Sequence, residues 1–575
     1  MSPVYHMAVR CVVLTIVLGS GFSRLAMGAD VERPRLMVLV VFDQLRGDYL
    51  ARWESHFSDG GFRRLQNEGA WFQNCHYPYA GTLTGAGHAS LLTGCSPVKH
   101  GIVSNEWFDR TLGKSVNCVY SLRHERVPSV ADAAQQLLSP AKDSGKVSPQ
   151  QMMSPSFSDV LKDGPDSKSR VVALSLKDRS AALPGGHRPD ACYWLDAETG
   201  EFITSTYYRD ELHPWVAEFN RSRVIDQWFG QEWTRARQDI DYQRVIGPDD
   251  MVGEGSGVKQ GRVFPHAMNG GLAKPGPASY KAVYTSPFGN ELLLALAKRA
   301  VDAEELGRRD APDLLTISFS SNDAIGHSWG PDSQEVFDVT LRSDQIVKEL
   351  LDYLDAKVGK GRYMLALTAD HGVCSVPEVA AAQGKDAGRL SSTVILKGAN
   401  EYLSKKFGGK ADEKTRWVQL ISNNWCYLHP ATIAEHRVKQ EDVELALGEW
   451  LVKQHGISRT FSRQHLRAET SSDDPQEQAV LRSFYPERCG DVLIVMQPNW
   501  LLGDSTTGTT HGSPHSYDSH VPLLFFGPQV AAKRHTEKVS PLSIAATFAK
   551  ALNIAVPGDS QTPVPAGLFM DESAK

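Results

Sequence analysis

Residues 36–43 read Leu36-Met37-Val38-Leu39-Val40-Val41-Phe42-Asp43, an unbroken apolar run that ends on a carboxylate. A strand that is apolar on both faces belongs inside a parallel sheet covered by helices. The same signature recurs at 171–176, 314–319, 363–368, 492–496 and 521–526. Helical patterns lie between these runs, at 129–138, 290–305, 333–354 and 541–552. The alternation predicts an α/β fold with a central, mostly parallel sheet flanked by helices. In such a sheet the ligand site lies beyond the carboxyl ends of the strands. Four of the runs lead into polar groups there: Asp43, then Lys177-Asp178-Arg179, then Asn322-Asp323, then Asp370-His371. One carboxylate at a strand end is a helix cap or a core ion pair. Four such ends on one edge predict a site.

The rest of the chain sets limits on that site. The 575 residues carry 41% hydrophobic and 22% charged side chains, an ordinary globular balance, and a formal net charge of -6. No basic run favours a nucleic-acid polymer as partner. The N-terminus reads as an export signal: Arg10, the apolar run 11–18, then the small-residue context Ala26-Met27-Gly28. The run is short for a membrane span, which needs about 20 residues. The expectation is a cleaved signal at 1–28, no membrane anchor, and a periplasmic protein formed by a single catalytic domain over 29–575. Two stretches, about 196–288 and about 377–488, fit the sheet pattern poorly and are expected to be cap insertions over the active-site edge. Loss of Cys11 with the signal would leave seven of eight cysteines, an odd number, and no CxxC pair.

Metal-ligand chemistry is the strongest reading of the polar strand ends. Asp323 and His327 are four apart, so a helix there would place both on one face. Asp370 and His371 are adjacent at a strand end that runs into a Gly turn. Asp43 adds a carboxylate, and His511, in a Gly/Thr-rich loop, adds an imidazole. Three carboxylates and three imidazoles suffice for two zinc ions with three protein ligands each. Iron or manganese could occupy the same donors. His515 and His520 rival His511, whose small neighbours favour it. His88, His100 and His187 read as packing or supporting residues.

The segment 81–108, GTLTGAGHASLLTGCSPVKHGIVSNEWF, is the densest in the chain. Its pattern T-x-x-x-H-x-x-x-x-T-G, followed by P, HGI and N, resembles the alkaline phosphatase superfamily. Within that group it is similar to the nucleotide pyrophosphatase/phosphodiesterase branch, and LSLKDR at 174–179 brings it closest to the phosphate-irrepressible alkaline phosphatases. The resemblance runs through separated motifs from Asp43 to His520. It implies Thr84 as nucleophile, one zinc on Asp43, Asp370 and His371, and a second on Asp323, His327 and His511. It also implies that Asn105, Lys177 and Arg179 bind the phosphoryl oxygens. Thr82 is the rival nucleophile. Thr84 lies nine residues before Thr93 and 21 before Asn105, the intervals of the family, and Thr82 fits neither.

The side-chain chemistry agrees with that reading. A metal ion lowers the pKa of an oxygen it holds, which would make a Thr hydroxyl competent to attack phosphorus. Lys177 and Arg179, two apart on a strand end, are expected to project to one side while Asp178 points away. Two cations favour the charge of a phosphate monoester over that of a diester. The expected activity is therefore a zinc-dependent alkaline phosphatase acting on small phosphate monoesters through a phosphothreonine on Thr84. Phosphodiester or nucleotide pyrophosphate hydrolysis is the alternative. A sulfatase would need Cys or Ser at 84, a cofactor-independent phosphoglycerate mutase typically uses Ser, and a non-catalytic binding protein would have little use for all six ligands.

Overall fold

The structure is a computed structural model that describes Met1 and residues 33–129, 145–164, 168–409 and 416–570. The export signal at 1–28 and the helical pattern over 130–138 lie outside the described residues. No helix among the described residues is long and apolar enough to cross a membrane.

One ten-stranded mixed sheet organises the molecule. Its strands are β1 (Leu36–Phe42), β2 (Ala70–His76), β3 (Arg126–Val127), β4 (Val171–Ser175), β5 (Ala191–Asp196), β6 (Glu201–Ser205), β7 (Asp313–Phe319), β8 (Tyr363–Thr368), β9 (His520–Phe526) and β10 (Lys533–His535). Their spatial order is β10-β2-β9-β8-β1-β7-β4-β5-β6-β3. The central five, β8-β1-β7-β4-β5, are parallel. β9 runs antiparallel to β8, and β6 antiparallel to β5. Every residue of β1, β4, β7 and β8 is buried, which is why these runs lack a polar alternation.

The helices that carry the site are α1 (Thr84–Thr93), α2 (Asp178–Gly185), α3 (Pro287–Ala303), α4 (Ser321–Trp329), α5 (Gln334–Leu354) and α6 (Ser543–Leu552). α1 packs on α2 and α6, while α3, α4 and α5 pack on one another. Most of the strands and helices share one large apolar core, while Ala181, Ala182 and Leu183 of α2 belong to a second cluster.

The two cap stretches behave differently. Residues 196–288 drape largely over α3 and α5. The Trp215 Nε1–H donates to Glu304 at 2.8 Å and the Trp233 Nε1–H to Asp338 at 2.7 Å. The second stretch builds its own four-stranded antiparallel sheet, in the order 418–422, 425–428, 492–496, 457–462. Val492–Met496 therefore does not belong to the central sheet, contrary to its sequence pattern. Its Val492, Ile494 and Met496 pack into one apolar cluster and its Leu493 and Val495 into another. With both faces covered, an antiparallel strand acquires the look of a parallel one.

Candidate active site

The register of the sheet fixes where the polar groups emerge. Phe42 pairs with Phe319, and Val41 with Thr368. Asp43, the start of α4 and Asp370 therefore leave the sheet at nearly one level. α4 begins at Ser321, so Asp323 and His327 are one turn apart on one face, and Asp323 Oδ1 lies 3.1 Å from His327 Nε2. Its start is pinned from α3: the Ser321 N–H donates to Asn290 Oδ1 at 3.2 Å, and Asn290 Nδ2 to Asn322 Oδ1 at 2.8 Å.

Two groups of three potential ligands result. Asp43, Asp370 and His371 form one, and Asp323, His371 and His511 the other, each with its donor atoms within 4.8 Å of one another. His371 takes part in both. Its Nε2 lies 3.4 Å from Asp43 Oδ1 and 3.4 Å from Asp370 Oδ2. His511 Nε2 is 3.7 Å from Asp323 Oδ1, and its ring stacks on that of His371 with centroids 3.5 Å apart. His327 joins through Asp323. All six side chains are therefore gathered at one edge. His515 and His520 are not: their Nε2 atoms are spent on the carbonyls of Met496 and Gln73.

The donor set fits metal cations. His371 Nδ1 faces the Gly372 carbonyl at 2.9 Å, His327 Nδ1 that of Thr509 at 2.7 Å, and His511 Nδ1 that of Thr82 at 2.8 Å. A carbonyl only accepts, so Nδ1 carries the hydrogen in each ring and the Nε2 lone pair of the neutral ring turns toward the carboxylates. Burial lowers the pKa of His371. Burial, and then His371, push that of His511 well down, so both rings stay neutral. At His327 burial opposes the charge, but the charge of Asp323, the hydrogen bond to it and the one to the Thr509 carbonyl together raise the pKa. Asp43 Oδ1 is buried with no hydrogen-bond partner, and Asp370 Oδ2 has only His88 Nδ1, 3.2 Å away, whose hydrogen is directed at the Thr84 carbonyl. Acceptors facing acceptors in a buried space call for a cation between them.

Lys177 supplies one positive charge. Its Nζ donates to Asp43 Oδ2 at 2.7 Å and to Asp323 Oδ2 at 2.6 Å, bridging the two groups. Burial opposes its charge, but Asp323 and Asp43 outweigh it and raise its pKa. Asp43 is pushed well above the usual carboxylate range by burial and then by the charge of Asp370, with Lys177 pulling the other way. The alternation expected of the Lys-Asp-Arg tripeptide does not apply. β4 ends at Ser175, Lys177 caps α2, and Asp178 and Arg179 already lie in its first turn. Arg179 nevertheless stays within electrostatic reach of Asp43, beside Tyr284, and its buried Nε has no partner.

Thr84 opens α1, after Leu83 in extended conformation. Its Oγ1 lies 3.3 Å from His371 Nε2, whereas Thr82 Oγ1 donates to the Ser513 carbonyl at 2.9 Å. Asn105 Oδ1 accepts from the Gly85 N–H at 2.7 Å, which fixes the amide beside the start of α1. His88 acts in support: Nδ1 donates to the Thr84 carbonyl at 2.9 Å, and Nε2 accepts from Ser318 Oγ at 2.7 Å. α1 lies so close to the Asp370 loop that a side chain at Gly87 would overlap the Asp370 carbonyl.

With this geometry in view, the likeness to known proteins is informative. The profile of the type I phosphodiesterase/nucleotide pyrophosphatase family matches residues 37–518. The chain belongs to this family. Among curated members, alkaline phosphatase PafA of Elizabethkingia meningoseptica is 34% identical over 545 residues, covering 95% of this chain and 96% of that one. Alkaline phosphatase PhoV of Synechococcus elongatus is 34% identical over 535 residues, covering 92% of each. The crystal structure of wild-type PafA superposes with a TM-score of 0.85 at 33% identity, over 94% of this chain and 100% of that one.

Two side chains that the sequence reading passed over join this family site. Gln44 directly follows Asp43 and touches both Asp323 and Asp370. Asp518 pins the His511 loop, accepting at Oδ2 from Ser513 N at 2.9 Å and Ser513 Oγ at 2.6 Å, while its carbonyl accepts from the Gly372 N–H at 2.7 Å. Their polar character was visible in the sequence, but their partners are distant in the chain.

Two outcomes follow from the charges. Lys177→Met leaves Asp43 and Asp323 without their shared cation, and the chelated protein should lose about 3 kcal/mol of stability in urea unfolding. Burial raises the Asp518 pKa from 3.8 to about 7. Between those values the folded state keeps a proton that the unfolded chain has released, so stability falls as pH rises through the window. Asp518→Asn should flatten that part of the stability–pH curve, measured by urea unfolding across the window and above it.

Proposed function

We propose that this protein is an exported alkaline phosphatase that binds two zinc ions and hydrolyses small phosphate monoesters through a phosphothreonine on Thr84. The observation that carries the proposal is the placement of the Thr84 hydroxyl 3.3 Å from His371 Nε2, at the edge of the inward-facing Asp and His acceptors. Asp43, Asp370 and His371 would hold one ion, and Asp323, His327 and His511 the other, with His371 near both. Bound there, the ions would supply Lewis acidity and positive charge to the attacking and departing oxygens.

The remaining work falls to the chain itself. Thr84 Oγ1 forms a bond to phosphorus as the ester P–O bond breaks, and the proton it gives up leaves with the departing alcohol; water then cleaves the phosphothreonine, releasing inorganic phosphate and returning a proton to the hydroxyl. The N-terminal end of α1 presents its positive dipole to the phosphoryl group. The Asn105 amide and the Arg179 guanidinium are the donors offered to the non-bridging oxygens, with Lys177 adding its charge between the carboxylates. Phosphoryl transfer is dominated by such positioning and charge stabilisation. The likeness to two alkaline phosphatases over nearly the whole chain supports a monoester substrate. The match to a phosphodiesterase family favours diester hydrolysis as the second reading.

Paired assays on an aryl phosphate monoester and the matching diester separate the two. Thr84→Ala should lower turnover by at least about 10^3-fold while leaving zinc content unchanged. Full activity in that variant would discard Thr84 as nucleophile. Removing Lys177 and Arg179 together should cost monoester hydrolysis at least about tenfold more than diester hydrolysis, since each charge-assisted contact is worth more to the more highly charged ester. Equal losses would favour the diesterase.

A further inference from the structure

Gln44 stands in a backbone conformation that side chains rarely adopt, with φ at 70°. Such strain persists only where the surroundings fix it, and it gathers at functional sites. The residue is buried, and its two donors diverge. Its backbone N–H donates to Asp370 Oδ1 at 3.1 Å, and its side-chain Nε2 donates to Asp323 Oδ1 at 2.7 Å. One residue thus reaches a carboxylate in each of the two ligand groups. The left-handed turn makes this possible, because it aims the main chain at one group and the side chain at the other. The space for that side chain is also built. A Cβ at position 326, one turn of α4 from Asp323, would overlap Gln44 Oε1, and the residue there is Gly326.

We propose that Gln44 is a positioning residue that sets the spacing of the two halves of the metal centre, and that its amide governs the Asp323 half alone. This rests on the two-ion reading above. The division follows from the two bonds. Any residue at 44 keeps the backbone N–H on Asp370, whereas only the amide reaches Asp323. An outer-shell donor of this kind orients a ligand carboxylate without touching the ion.

The test is zinc titration of the metal-stripped full-length protein against a chromophoric chelator, with cobalt(II) spectra as a second readout. In Gln44→Met, which keeps the bulk and loses the donor, the first ion should bind as in the unaltered protein and the second at least about tenfold more weakly. Gln44→Gly, which relieves the backbone strain as well, should show the same split. Gly326→Ala should weaken the second ion by itself, because the new methyl displaces the amide. It should add nothing in the Gln44→Gly background, where no side chain remains to displace. Alanine suits a helix interior, so folding of this variant is protected. Excess zinc should restore turnover in Gln44→Met with little change in KM.

Equal affinity for both ions in Gln44→Met, or equal weakening of both, overturns the proposal. So does an undiminished effect of Gly326→Ala in the Gln44→Gly background. The unaltered protein reads out the two-ion reading separately: a stoichiometry below two would remove that reading and this inference with it, while two ions with indifferent variants would remove only the inference.

Discussion

Three carboxylates, Asp43, Asp323 and Asp370, lie buried at one edge of the sheet, and their mutual repulsion is the constraint on which the site depends. Like charges in a poorly polarisable interior interact far more strongly than in water. The chain answers with one cation, Lys177, placed between Asp43 and Asp323. Amide donors from Gln44 satisfy one oxygen each of Asp323 and Asp370. Oδ1 of Asp43 is left without a hydrogen-bond partner, and Oδ2 of Asp370 has only the His88 Nδ1 that also serves the Thr84 carbonyl. A protein that tolerates two such oxygens in its core has shaped that core around added positive charge.

The sheet makes the arrangement affordable, because parallel strands deliver groups to one level without long-range searching. β8, β1 and β7 are neighbours in register, so residues just past their ends meet. The imidazoles then follow from α4, which carries His327, and from the segments that carry His371 and His511. Each of His327, His371 and His511 is fixed through Nδ1 to a backbone carbonyl, which sets ring orientation and tautomer together. One helix, α4, supplies both Asp323 and His327, and the turns just past β1 and β8 and the 511 loop supply the rest, with each ring held by a carbonyl.

The central strands, the helix at Asp323–His327 and the convergence of six acidic and imidazole side chains were legible in the sequence. Burial on both faces and a four-residue helical spacing are local properties that composition records. Val492–Met496 misled because burial, not strand direction, is what an apolar run encodes. The tripeptide at Lys177 misled because the strand ended two residues earlier, and the start of α2 replaced alternation by helical geometry. Gln44 was invisible for another reason. Its role lies in a positive φ and in two bonds to residues about 280 and 330 positions away, neither of which leaves a trace in neighbouring residues.

The stretch 377–488 is bonded to the segments on either side of α1. Ser483, at the end of the helix Pro475–Ser483, accepts at Oγ from the Ala80 and Gly81 N–H groups at 2.8 and 2.9 Å. Asn423, in the tight turn between two strands of the cap sheet, donates from Nδ2 to the Glu106 carbonyl at 3.0 Å, beside Asn105. The segment before Thr84 is thus tied to that helix, and the one beside Asn105 to a sheet that shares no strand with the central one. The two sheets meet through the apolar cluster that joins Ala89, Ile102 and Trp107 to Trp425, Phe461 and Val480, so the helix that Thr84 opens is packed from both sides.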